Sequence, residues 1–295
     1  MVERFINVVR VEFKGGDMNK IFFAGSGHGG IVALKSLQQE FDQIEIITND
    51  KQIIKLARKK DCLLSDIIET SSKLGVCAGY QKIVPKKILD NKTIINTHPS
   101  LLPKYRGMHS LVWAMLNFEK ELGFTIHLMN EYIDDGDIIA QFKIKYNGET
   151  SKEIMDKFDE WVEINLGMIV KKFINKEIIP QKQDKSKATW VPRRNIEDCT
   201  IDFNWDKKFI DMFFKALVRP YPLPMIRIKN RLYEVDGYSF FEANYYTHLG
   251  RVVNVEDGKA FIKTKDGLLI VENLISFETK QKYKANEILK LGMRL

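Results

Sequence analysis

Amide, imidazole and carboxylate side chains are concentrated between residues 96 and 137. Asn96 and His98 close an apolar run, and because alternate residues of a strand share a face, both side chains point the same way. A second strand-like run is followed by an acidic loop that holds Glu131, Asp134, Asp135 and Asp137. An amide can stabilise an oxyanion, an imidazole can move a proton, and a carboxylate can orient that imidazole.

These groups predict an acyl-transfer site that works without a nucleophilic serine or cysteine. An amine would attack a carbonyl directly, while the Asn96 amide stabilises the oxyanion by on the order of 3 kcal/mol. His98 would shuttle the proton, and Asp134 would hold its ring. A serine hydrolase fits less well, because the chain contains no G-x-S-x-G elbow.

The same residues also allow plainer interpretations. A single histidine at a strand end is commonly structural, and only the nearby amide and acidic loop favour a catalytic one. The acidic loop could be a solvated turn or could hold magnesium. It lacks the spacing of a calcium loop, so we expect no metal.

Strand and helix signals alternate along the first part of the chain, which predicts an α/β fold with a doubly wound, Rossmann-like, mostly parallel sheet. From Asp206 onward the pattern changes to one helix and several short strands joined by turns such as Glu256-Asp257-Gly258. That pattern predicts a smaller, barrel-like antiparallel β domain at the C-terminal end.

Composition shifts predict four segments. Residues 1–17 read as an extension, and residues 18–180 as the catalytic domain. Residues 181–200 are polar and aperiodic, which is typical of a linker, and residues 201–295 form the C-terminal β-rich domain.

A glycine-rich turn, Gly25 to Gly30, follows the first strand and opens a helix, with Asp50 twenty residues after Gly30. This spacing matches a dinucleotide-binding fingerprint. It is equally typical of a tight turn whose amides could hold any phosphate. The nicotinamide interpretation therefore stays open at this point.

The bulk composition is that of a globular protein, with 44% hydrophobic and 29% charged residues among 295. No apolar run is long enough to span a membrane, and three widely spaced cysteines predict a reducing cytoplasm. The net charge of +7 permits an anionic partner such as a nucleotide, a folate or RNA, although solvated lysines explain it equally well.

Two stretches carry a strong resemblance to the folate-dependent formyltransferases: NTHPSLLPKYRG from Asn96 and GFTIHLMNEYIDDGDIIAQ from Gly123. The resemblance covers about residues 19–180 and continues more weakly through the C-terminal part. It implies that Asn96, His98 and Asp134 are the catalytic triad, with the D-x-G-x-I pattern selecting Asp134. It also implies N10-formyltetrahydrofolate as the formyl donor.

The resemblance further implies which segments contact the folate. One follows the family pattern A-G-Y-x-x-I-x-P, and the other is the first half of the acidic loop. The implied cofactor-binding residues are Tyr80, Gln81, Lys82, Ile83, Val84, Met129, Asn130, Glu131, Tyr132 and Ile133. The glycine-rich turn is then a turn of the same sheet, and Gly25 to Gly27 is only a weak phosphate-binding candidate.

The choice of acceptor rests on comparison within the resembled family. Methionyl-tRNA enzymes usually carry a basic insertion after the second strand, whereas here Thr48-Asn49-Asp50 leads straight into a helix. Glycinamide ribonucleotide enzymes generally lack a C-terminal domain. We therefore expect a nucleotide-linked amino sugar that feeds cell-surface polysaccharide synthesis, with Lys104 and Arg106 meeting its pyrophosphate.

Other outcomes remain as alternatives. Methionyl-tRNA is the second acceptor, and a hydrolase releasing formate is the third interpretation. A non-catalytic RNA-binding module would require an idle triad. With a sugar nucleotide as substrate, a nucleic acid partner and a membrane partner are not expected, and a homodimer is compatible with the sequence.

Overall fold

The computed structural model describes residues 20–295, so the predicted extension 1–17 and the predicted domain start at residue 18 lie outside the described residues. The chain divides into two compact units. The first contains the described residues up to Leu111 together with 121–145 and 155–192. The second contains 112–120, 146–154 and 193–295. The predicted boundaries near residues 180 and 200 stay predictions.

The elements up to residue 192 alternate as the sequence predicts. The strands are β1 (Lys20–Gly25), β2 (Gln43–Ile47), β3 (Cys62–Leu64), β4 (Leu74–Ala78), β5 (Thr93–His98), β6 (Arg106–Gly107), β7 (Glu121–Leu128), β8 (Ile138–Lys145) and β9 (Trp190–Val191). The helices are α1 (Gly27–Glu40), α2 (Lys51–Leu56), α3 (Lys86–Leu89), α4 (Ser110–Leu116) and α5 (Ser151–Ile174).

Seven of these strands form one sheet in the order β3-β2-β1-β4-β5-β7-β8. The pairs from β3 to β5 are parallel, β7 pairs antiparallel with β5, and β8 pairs antiparallel with β7. The predicted α/β class with a mostly parallel sheet is confirmed. The short strands β6 and β9 pair separately, with Arg106 opposite Trp190.

The central strand β1 is buried on both faces, with Ile21, Phe22 and Phe23 fully inaccessible. Such a continuous apolar run is typical of a parallel strand covered by helices. On the β7–β8 side, Phe158 of α5 packs against Phe124 and Phe142 with ring centroids 5.7 and 6.2 Å apart. These contacts fix the strand pair that carries the acidic loop.

The helix α2 that follows Asp50 is short. It ends at Leu56, and the strand β3 that follows was missed. The cause is Asp61, whose carboxylate accepts hydrogen bonds from the Arg58 backbone amide and guanidinium and from the backbone amide of Ile44. These bonds turn the chain back towards β2.

The second unit carries α6 (Lys207–Ala216) and a six-stranded antiparallel sheet. Its remaining elements are β10 (Met225–Ile228), β11 (Arg231–Phe241), β12 (Val252–Glu256), β13 (Lys259–Lys263), β14 (Leu268–Ser276), β15 (Lys282–Lys284) and α7 (Ala285–Ile288). The predicted turn between β12 and β13 is present, with positive φ at Asp257 and Gly258 as a tight hairpin requires. The antiparallel C-terminal β domain is confirmed.

Within residues 20–295, no helix is both long and apolar enough to cross a membrane.

Candidate active site

Asn96 and His98 lie on one face of the sheet, at the end of strand β5, whose last residue is His98. The neighbouring strand β7 is antiparallel, and its His127 lies directly opposite Asn96. Residues directly opposite one another in an antiparallel pair share a face. One amide and two imidazoles therefore project together.

His98 is buried, with 4% of its surface exposed. Its Nε2 lies 2.9 Å from the carbonyl oxygen of Tyr105, and a carbonyl can only accept, so Nε2 carries the hydrogen. Its Nδ1 lies 3.5 Å from Oδ2 of Asp134. The neutral ring thus presents Nδ1 as its proton acceptor, beside a carboxylate that stabilises the protonated form.

Asp134 is held by groups from several elements. Oδ2 accepts a hydrogen bond of 2.8 Å from the backbone amide of Gly107, and Oδ1 lies 3.4 Å from Nδ2 of Asn96. Oδ1 is also 3.6 Å from Nε2 of His127. The backbone of Asp134 is in the left-handed region with φ of 52°, which is uncommon for a residue other than glycine.

The surroundings of Asp134 and His98 keep the carboxyl group ionised and the imidazole neutral. Burial alone would raise the pKa of Asp134, but hydrogen bonding to His127, the charges of His98 and His127 and the Gly107 amide lower that pKa to about 2. Burial lowers the pKa of His98, and the Asp134 charge offsets only part of that effect. At neutral pH the site therefore holds a carboxylate and a neutral imidazole.

His127 was missed as a functional residue in the sequence, where it reads only as part of a strand. It is 2% exposed, and its Nδ1 lies 2.8 Å from the carbonyl oxygen of Leu128. Its Nε2 lies 3.4 Å from the Asn96 amide. One sequence feature could have indicated this role: His127 lies within an otherwise apolar strand that was predicted beside Asn96.

The implied folate-binding residues fall into anchored and exposed groups. Tyr80, Val84 and Met129 pack against an apolar cluster beneath the sheet edge, which includes Phe22 and Ile94. The exposed group consists of Gln81, Lys82, Ile83, Glu131, Tyr132 and Ile133, and Asn130 is half-buried.

The two segments that carry these residues lie side by side. Nζ of Lys86, which begins α3 after the first segment, is 3.0 Å from Oε2 of Glu131 in the second. Large apolar side chains stand in solvent on both, with Ile83 90% and Ile133 67% exposed. An apolar surface of this kind, flanked by charges, fits a flat heteroaromatic ring with an anionic tail.

Lys104 and Arg106 differ in their surroundings. Lys104 is exposed, six residues after His98. Arg106 is 4% exposed, and its guanidinium pairs with Asp135 at 2.6 Å and with Oε1 of Gln183 at 2.7 Å. Arg106 is therefore committed to the acidic loop.

A backbone amide of the glycine-rich turn is already hydrogen-bonded to a side chain of the protein. Helix α1 begins at Gly27, inside the glycine-rich turn, and Oδ2 of Asp50 accepts a 2.8 Å hydrogen bond from the Gly27 amide. The acidic residue that a dinucleotide site would turn towards a ribose instead caps this helix. In residues 20–295 no group of three or more His, Cys, Asp or Glu side chains could hold a metal ion.

Comparison with known proteins agrees with this geometry. The protein-family model described as formyl transferase matches residues 57–166. The family model described as formyl transferase, C-terminal domain, matches residues 195–291. A methionyl-tRNA formyltransferase of Borrelia duttonii is 30% identical over 288 residues, covering 86% of this chain and 91% of the relative. One of Fusobacterium nucleatum is 26% identical over 311 residues, covering 94% and 99%.

Among solved structures, the fold is similar to that of WlaRD, a sugar 3N-formyl transferase crystallised with dTDP and 5-N-formyl-THF. The TM-score is 0.68 at 23% identity, and the match covers 90% of this chain and all of that chain. The chain belongs to the formyltransferase family. The predicted enzyme class and its donor, N10-formyltetrahydrofolate, are confirmed.

The predicted acceptor is wrong. The curated relatives that match this chain along most of its length are named methionyl-tRNA formyltransferases, whereas the sugar enzymes resemble it only in fold. The names of these relatives favour a tRNA partner over the expected sugar nucleotide. The short connection after β2 is real, since Asp50 caps α2 directly, but its length does not decide the acceptor.

Proposed function

We propose that this chain transfers a formyl group from N10-formyltetrahydrofolate to the amino group of initiator methionyl-tRNA. The observation that carries the proposal is full-length similarity to relatives of that name, spanning both units. The joint presence of Asn96, His98 and Asp134 in one cluster, with His98 buried and the other two half-buried, supports an active enzyme over a binding module that has lost catalysis.

In this proposal the folate lies over the apolar surface formed by Ile83, Tyr132 and Ile133. Tyr80, Val84 and Met129 support that surface from below, because they pack into the apolar cluster. When bound, N10-formyltetrahydrofolate supplies an activated formyl carbonyl. Gln81, Lys82, Asn130 and Glu131 are the polar groups at the rim.

The Asn96 amide donates a hydrogen bond to the formyl oxygen as negative charge develops there. A donor held in place for this purpose contributes on the order of 3 kcal/mol to the rate. Asn96 is oriented for it by its contacts with Asp134 and His127. Because Nδ2 carries two hydrogens, one of these 3.4 Å contacts gives way when Asn96 donates to the formyl oxygen.

His98 accepts the proton that the attacking amine must lose. Its Nε2 hydrogen is fixed on the Tyr105 carbonyl, so Nδ1 is the accepting atom. Asp134 stays ionised and stabilises the imidazolium that forms. The proton then passes from Nδ1 to the leaving nitrogen of the folate. We expect the exposed Lys104 to contact the acceptor's phosphates.

The proposal is tested by incubating the full chain with labelled donor and initiator methionyl-tRNA. Formylated methionyl-tRNA, with release of tetrahydrofolate in equal amount, is the expected result. Uncharged tRNA is the matched control, because it offers the same phosphates without the amine. Release of formate without formylated tRNA would instead indicate a hydrolase.

A further inference from the structure

Gln183 lies in the polar segment that the sequence predicts to be a linker, yet it is only 8% exposed. Its Nε2 donates two hydrogen bonds of 2.8 Å, to the carbonyl oxygens of Asp134 and Gly136. Its Oε1 accepts from Nε and Nη2 of Arg106 at 3.2 and 2.7 Å. All four hydrogen-bonding capacities of the glutamine amide, two to donate and two to accept, are therefore used.

The orientation of this amide is determined by its neighbours. A guanidinium only donates and a carbonyl only accepts, so Oε1 must face Arg106 and the NH2 group must face the loop. Arg106 is itself held by its ion pair with Asp135, whose other oxygen accepts from Nδ2 of Asn130. Gln183 is therefore fixed at both ends.

The loop that Gln183 contacts needs external support. Asp134 has a left-handed backbone, a conformation that costs of order 1 kcal/mol or more and persists only when surrounding contacts impose it. The two carbonyls that Gln183 binds belong to Asp134 and to the residue two positions later. They bracket the peptide whose conformation sets where the Asp134 carboxylate points.

We propose that Gln183, oriented by Arg106, is a positioning residue that keeps the Asp134 carboxylate against Nδ1 of His98. This inference rests on the proposed function in one respect only, which is the choice of acceptor for an activity assay. The geometric claim concerns His98 and Asp134 alone. Gln183 does not touch the reacting atoms, so its effect reaches catalysis through the loop.

The direct readout is the titration of the His98 imidazole, followed by NMR in the full chain. The charged groups facing His98 are Asp134 from the acidic loop and His127 from β7, and the Tyr105 carbonyl faces it from the segment before β6. Loss of the carboxylate from its 3.5 Å position removes the influence that favours the protonated ring. In Gln183→Met the titration midpoint of His98 should fall on the order of 1 pH unit.

Asp134→Asn supplies the reference for this shift. If Gln183 acts through Asp134, Gln183→Met should lower the midpoint in the wild-type background and add nothing in the Asp134→Asn background. Gln183→Asn, which is too short to reach both carbonyls, is a milder second variant and should move the midpoint the same way. Formyl transfer should fall about 100-fold in Gln183→Met, the scale of a 1 Å misplacement.

Gln38→Met is the matched control. Gln38 also donates twice, to the Leu56 carbonyl and to Asp61, but beside the start of β2. It should leave the His98 midpoint unchanged. An unchanged midpoint in the Gln183 variants would overturn the inference, as would a shift upward to the ordinary value of about 6.5, which indicates solvent entry. Failure of the wild type to formylate methionyl-tRNA would overturn the proposed function and leave the titration to decide this claim.

Discussion

At the scale of single residues, the site depends on two groups with opposite environments. Asp134 is a carboxylate that several donors keep ionised, and His98 is an imidazole that burial keeps neutral. A pair in which the surroundings lower the pKa of a carboxyl and of an imidazole is typical of acid–base catalysis. In the proposed mechanism, Asn96 completes the cluster as the donor to the developing oxyanion.

Removal of either proton-handling group should stop turnover without unfolding the chain. His98→Ala and Asp134→Ala are each expected to lower kcat by about 100- to 10,000-fold, the range for a positioned acid or base. Asn96→Ala should lower it by about 100- to 1,000-fold, as for a lost oxyanion donor. Steady-state kinetics and thermal unfolding measure both effects. Near-normal turnover in the His98 variant contradicts this mechanism.

The pH profile follows from the directions of the two pKa shifts. As pH falls, protonation of Nδ1 removes the proton acceptor, so kcat must decline. Because burial lowers the pKa of His98, this acid limb should lie below pH 6.5, its ordinary value. Asp134, with a pKa of about 2, should add no limb near its ordinary value of 3.8.

The profile is best measured as kcat at saturating donor and acceptor. That quantity reports groups in the enzyme–substrate complex, so titration of the free methionyl amine does not contribute. A limb at or above pH 6.5 would show that His98 is not held neutral by its surroundings.

At the scale of elements, the acidic loop between β7 and β8 sets the site's geometry. Gly136 makes its closest approach there, since a Cβ on that residue would lie 1.8 Å from the carbonyl oxygen of Leu128. A backbone atom cannot give way as a flexible side chain can. Gly136→Ala must therefore displace the loop or strand β7.

Gly136→Ala should lower formyl transfer by at least about 100-fold, because it moves the Asp134 carboxylate. Gly29→Ala is its control, since a Cβ there has no neighbour within 4 Å and Gly29 lies inside helix α1. That control should keep full activity and gain about 0.5 kcal/mol in free energy of unfolding. Equal losses of activity in both variants would argue against a role for the loop.

Much of the sheet could be predicted from the sequence, because β1, β4 and β5 are short apolar runs bounded by turn signals. The proximity of Asn96, His98 and Asp134 could be predicted, because strand spacing and motif resemblance both point to these residues. Gln183 and the roles of His127 and Arg106 were not found. Their hydrogen bonds join residues that lie 31 and 77 positions apart in the sequence. These bonds depend on side-chain direction, which the local sequence pattern does not encode.

At the scale of the whole molecule, the acceptor is the feature that sequence reasoning got wrong. The absence of a basic insertion after β2 favoured a sugar nucleotide, whereas relatives named methionyl-tRNA formyltransferases match most of the chain. The net charge of +7 fits a polyanionic acceptor without assigning it to a particular surface.

Charge makes the acceptor's binding sensitive to salt. Binding to a nucleic acid releases counterions, so the KM for methionyl-tRNA should rise steeply between about 50 and 200 mM salt. The KM for N10-formyltetrahydrofolate, which carries few charges, should change far less. Parallel salt series on the two substrates measure this. Equal dependence for both would contradict tRNA as the acceptor.

The central claim is formylation of methionyl-tRNA by the His98–Asp134 pair. Its most direct test is single-turnover formyl transfer from N10-formyltetrahydrofolate to initiator methionyl-tRNA, with wild type and Asp134→Asn side by side. We expect formylated methionyl-tRNA from the wild type and almost none from the variant. A wild type that leaves charged tRNA unformylated, or a variant as fast as wild type, would contradict the account.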